Sequence, residues 1–106
     1  MKIPTRVKVG YNTYDVLQEK TNDPAKGYMN WGKTLHGNLK IFLDKDLSLS
    51  KREETFMHEL LHVCFHDAGL DQNLDGGEKE PLSSEEIVNR LTPILITTLK
   101  NNNLLR

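Results

Sequence analysis

Two kinds of periodicity divide the chain. Val7-Lys8-Val9 and Tyr14-Asp15-Val16 alternate apolar and polar positions on either side of Gly10 and Asn12. That pattern predicts an N-terminal hairpin, or one strand and a bend, with a short helical turn at residues 17–20 as the alternative ending. Thr21-Asn22-Asp23-Pro24 is a breaker cluster, and residues 24–36 show no clean period. Alternation returns over Gly37 to Asp44, with Leu39, Ile41 and Leu43 on one face and Asn38, Lys40 and Phe42 on the other. The polar residues on that second face predict a strand at a sheet edge or with one solvated side.

From residue 50 onward the period is helical. Ser50-Lys51-Arg52-Glu53 has the form of a capping box, and it predicts a helix over 51–67. Met57, Leu60, Leu61, Cys64 and Phe65 form its expected apolar face, with Cys64 read as a small core residue. Residues 70–82 read as an acidic, glycine-containing connection whose spacing does not fit a calcium loop. A last helix is predicted from Ser83 or Ser84 to about Lys100, burying Ile87, Val88, Leu91, Ile94, Leu95 and Leu99 and kinked at Pro93. Asn101-Asn102-Asn103 would stop it before a loose tail. Strands first and helices after indicate an α+β fold: a small N-terminal β-sheet, a central helix and a C-terminal helix.

Composition narrows the class. The chain has 106 residues, 37% hydrophobic and 27% charged, which fits one globular domain over 1–106. No stretch is long and apolar enough to span a bilayer, and the first ten residues lack the apolar segment of a signal peptide. One cysteine excludes an intrachain disulfide framework and fits a reducing, cytoplasmic setting. The net charge is -1, but residues 1–52 carry +5 and residues 53–106 carry -6. The lysines of the basic half are dispersed, which argues against nucleic acid as a partner.

The chemistry concentrates in the middle of the first helix. His58-Glu59-Leu60-Leu61-His62 is an H-E-x-x-H. On a helix, positions four apart lie one turn above each other, so both imidazoles can reach one metal ion. Glu59 beside them can act as general base on a water activated by that metal. His66 extends the series, but Cα atoms eight residues apart on a helix are about 12 Å apart. It is therefore read as a rim residue rather than a ligand. A hydrolytic zinc site needs a third protein ligand and an open fourth position. The candidates are Glu85 and Glu86. Glu85 lies nearer the buried face, and Ser83 can engage Glu86 in a capping box, so the reading favours Glu85. The oxyanion-stabilising group is open among His66, Tyr28, His36 and Tyr11. Tyr28 and Trp31 read first as packing residues, with a groove-lining role as the alternative.

His58–His62 followed by Glu85-Glu86-Ile87-Val88-Asn89-Arg90-Leu91 resembles a small zincin-type metallopeptidase of the ImmA/IrrE-like family and its very small phage-encoded relatives. There a helix written roughly E-x-x-A-N-x-F-A supplies the third zinc ligand. The resemblance implies a minimal zincin-like fold, Zn2+ as cofactor and Glu85 as that ligand. Val88, Leu91 and Thr92 depart from the pattern. The sequence also departs from metzincins, with Phe65 and Ala68 where they carry Gly and a third His. The implied activity is peptide hydrolysis in a shallow cleft, with an extended polypeptide aligned on the edge of the Gly37–Asp44 strand. The competing reading is a catalytically inactive protein that keeps this fold as a metal-binding interaction or regulatory module.

Overall fold

A computed structural model describes residues 2–23, 28–70 and 83–101, with only the backbone described at residues 22, 23, 28, 29, 98 and 101. The acidic connection at 71–82 and the tail at 102–106 lie outside the described residues. Among the described residues six strands precede two helices: β1 (Arg6–Val9), β2 (Asn12–Glu19), β3 (Asn22–Asp23), β4 (Tyr28–Met29), β5 (Gly32–Leu35), β6 (Lys40–Asp44), α1 (Leu49–Asp67) and α2 (Ser84–Asn101). The fold is α+β.

β1 and β2 form the expected hairpin, turned at Gly10, whose φ of 58° suits a residue without a Cβ. β2 runs on to Glu19, so no helical turn follows Val16. The main sheet has four strands in the order β1-β2-β6-β5, and β3 and β4 pair separately. β6 runs parallel to β2, with Val16 opposite Ile41, and antiparallel to β5. The Gly37–Asp44 strand is thus shorter than predicted and internal. Both its edges are hydrogen-bonded, and it cannot offer one to a peptide. The edge beside the helices belongs to β5, inside the segment that showed no period.

Tyr14 and Val16 of β2 and Ile41 and Leu43 of β6 share one face of the sheet, where Phe56 and Val63 of α1 pack on them. Burial of each such side chain contributes about 1.5–3 kcal/mol. Met57 is buried and Leu60 packs against this core as predicted, but the centre of the buried face is shifted from the predicted one toward Phe56 and Val63. Val63 is fully buried, while Cys64 is exposed rather than in the core. Its N-cap is Ser48, whose hydroxyl accepts from the Lys51 amide at 3.2 Å, not Ser50. Glu53 does not take the predicted capping role; it faces α2, where it pairs with Lys100 at 2.5 Å.

α2 starts where predicted. Ser83 Oγ accepts from the Glu86 amide at 3.2 Å, and the helix continues through Pro93. Its buried row is Ser84, Val88, Thr92 and Ile96, one turn apart each. Thr92 occupies that row because its hydroxyl is satisfied by the Val88 carbonyl at 2.7 Å. Leu91 and Ile94, predicted to be buried, are exposed. Among the described residues no helix is long and apolar enough to cross a membrane.

Candidate metal centre

α1 presents two faces at once. Phe56 and Val63 hold it on the sheet, while His58 and His62 project toward α2 from the neighbouring strip. α2 returns with Glu85 in its first turn, at the point where the two imidazoles converge. His58 Nε2 and His62 Nε2 are 3.2 Å apart. Glu85 Oε1 lies 3.2 Å from the first and Oε2 2.6 Å from the second. Among the described residues these three form one group whose ligand atoms all lie within 4.8 Å of one another.

The spacing fits a metal of zinc's size. Donors on a tetrahedral centre with bonds of about 2.0–2.1 Å stand roughly 3.3–3.4 Å apart. The His58–His62 and His58–Glu85 separations are close to that, while the His62–Glu85 contact, at 2.6 Å, is shorter. Two nitrogens and one carboxylate also match the donor chemistry of catalytic zinc sites, which leave a fourth position open. Glu85 is 58% exposed at its side chain, so the open side of the cluster faces solvent. Glu86 sits next to it but does not join the cluster.

Glu59 occupies a different environment. Although charged, it is only 8% exposed. Its Oε1 accepts a hydrogen bond from Thr34 Oγ1 of β5 at 2.8 Å, and its Oε2 lies 3.8 Å from His58 Nε2. β5 can approach this closely because Gly32 has no side chain. A Cβ there would meet Thr55 Cγ2 at 2.7 Å and Glu59 Cγ at 3.4 Å. Gly32 and Thr34, two residues apart, share the strand face turned to α1.

A cavity of about 270 Å³ opens beside the cluster, walled by Trp31, Gly32, Thr55, His58, Glu59 and Glu85. Trp31 is 45% exposed, so its groove-lining role prevails over packing in the core. The Lys51 ammonium stands 4.2 Å from its ring centroid and 3.4 Å from Glu54 Oε1. Asp44 N–H donates to the Trp31 carbonyl at 2.8 Å, which makes those residues a hydrogen-bonded pair. Along an antiparallel ladder such pairs alternate. The backbone groups of Gly32 and Thr34 therefore point away from β6, along the edge that no other strand pairs among the described residues.

The remaining sequence candidates lie elsewhere. His36 and His66 stack on each other with ring centroids 3.9 Å apart, and neither lines the cavity. Tyr11 is fully exposed in the β1–β2 turn. The Tyr28 side chain lies outside the described residues. Partial burial and then the Asp67 carboxylate push the Cys64 thiol up, so it is no ready thiolate nucleophile or ligand. Sequence reasoning missed Gly32 and Thr34. The only available signal was a glycine two residues before a threonine in an otherwise unreadable segment. No protein family, curated protein or solved structure matches the chain.

Proposed function

We propose that the chain is a zinc-dependent endopeptidase, with His58, His62 and Glu85 as metal ligands and Glu59 as general base. The observation that carries this reading is the convergence of three donors beside a nearly buried glutamate at an open cleft. A second metal-free explanation, a surface ion-pair cluster, accounts for Glu85 but gives Glu59 no task.

Bound by those ligands, zinc would activate a water and polarise a carbonyl. The other roles belong to the chain's own residues. Glu59 Oε2, on the His58 side of its carboxylate, takes the proton of the attacking water and hands it to the leaving amine. The outward amide and carbonyl groups of Gly32 and Thr34 pair with an extended polypeptide substrate and set its scissile bond in the cleft. Trp31 and Lys51 meet the substrate side chain that lies beside α1. The H-E-x-x-H…E resemblance to ImmA/IrrE-like metallopeptidases and their small phage-encoded relatives supports the same ligand set.

Cleavage of an unstructured protein mixture tests the proposal. Activity should disappear on chelation and return with stoichiometric zinc. Cleavage that persists in metal-free protein removes the zinc mechanism. A zinc-loaded chain that cuts nothing favours the alternative, a metal-binding interaction protein.

A further inference from the structure

We propose that Thr34 is a positioning residue: from the edge strand, its hydroxyl holds the Glu59 carboxylate so that Oε2 faces the metal centre. The inference rests on the reading of Glu59 as general base.

An ionised carboxylate only accepts, so the Thr34 hydroxyl is the donor in its 2.8 Å bond to Glu59 Oε1. The terminal torsion of a glutamate is broad, and a free carboxylate would swing between orientations. The bond from Thr34 ties down one oxygen. The other is the one 3.8 Å from His58 Nε2. Gly32 brings the strand onto the same helix: a Cβ there would meet Thr55 Cγ2 at 2.7 Å, while Glu59 Cγ would stand at an ordinary contact distance of 3.4 Å. The strand thus lies beside the stem of Glu59 while Thr34 bonds its head.

The strand itself does not require this hydroxyl. A valine of the same shape serves a β-strand equally well. What the hydroxyl adds is a direct link between the strand that pairs with a peptide and the side chain that moves the proton. Thr34 takes part in both, through its outward backbone and its inward hydroxyl. A substrate docked along β5 therefore meets a base already aimed by that same strand.

Thr34→Val keeps the shape and removes the donor. For an extended peptide, kcat should fall about tenfold to a hundredfold, with KM and zinc content unchanged. Thr34→Ser should recover most of the loss. Equal losses in the two variants, or a change confined to KM, would overturn the proposal. A double-mutant cycle on the metal-free protein gives a readout independent of turnover. Thr34→Val should lower the urea midpoint when Glu59 is present and leave it unchanged in a Glu59→Leu background. The same shift in both backgrounds shows that the hydroxyl does not hold the carboxylate. Absence of turnover in the wild type overturns the peptidase reading and the catalytic part of this one together, and the cycle then measures the bond alone.

Discussion

His62 Nε2 stands 2.6 Å from Glu85 Oε2, joining the middle of α1 to the first turn of α2. The contact makes the candidate metal centre a property of the helix pair rather than of the H-E-x-x-H segment alone. Metal affinity should then depend on a residue far along the chain. Glu85→Ala should weaken zinc binding by at least about a hundredfold, because losing even an outer-shell partner typically costs 10–100-fold. Glu86→Ala, one position away, should leave it unchanged. Titration of each metal-free variant with zinc distinguishes them, and equal affinities would remove Glu85 from the ligand set.

Gly32 sets how closely β5 can lie on α1. A methyl group there would meet Thr55 Cγ2 at 2.7 Å and the Phe42 carbonyl at 3.0 Å. Gly32→Ala should therefore destabilise the fold by about 1–3 kcal/mol through overpacking. Urea denaturation of the metal-free protein checks this, and an unchanged midpoint would mean that strand and helix are less tightly apposed.

The Glu53–Lys100 pair ties the start of α1 to the end of α2. Glu53 is 7% exposed at its side chain and Lys100 is 40% exposed. Lys100→Met should cost about 1–3 kcal/mol, less than a fully buried pair because solvent reaches the lysine. Glu53→Gln in the same chain should recover part of that loss. Thermal melts of the single and double variants test it, and strictly additive losses would contradict the pairing.

Burial, followed by the nearby Asp67 carboxylate and its hydrogen bond, pushes the Tyr14 phenol above its ordinary 10.0. The folded state thus favours the neutral form. The contribution to stability is full below pH 10 and is lost as pH rises through the raised folded value, because the unfolded chain ionises first. Tyr14→Phe should be less stable by about 1 kcal/mol at neutral pH. It should also lose less stability than wild type between about pH 9 and pH 11. Parallel pH profiles in the two proteins would contradict the assignment.

The parts legible in the sequence were those with local periodicity. His58 and His62 are one helical turn apart, and Ser83 announces the start of α2. β5 was unreadable because its inward, half-buried face is Gly32 and Thr34, set against Thr55 and Glu59 rather than apolar groups. A strand that packs on a functional site in this way leaves no hydrophobic alternation. The internal position of β6 depends on parallel pairing with β2, a long-range choice that alternation does not encode. The rotation of both helices has a similar origin. Glu53 and Thr92 are polar residues buried with partners, which displaced Cys64, Leu91 and Ile94 outward. Glu85 was favoured as the third candidate ligand by position and by resemblance, but its meeting with His58 and His62 is a tertiary fact.

The most direct test of the account compares wild type and Glu59→Gln, each loaded with zinc, on one library of extended peptides. The account predicts one zinc per chain in both proteins and turnover at least about a thousandfold lower in the variant, the combined effect of losing acid–base catalysis and its alignment. Equal turnover in the two zinc-loaded proteins would contradict it.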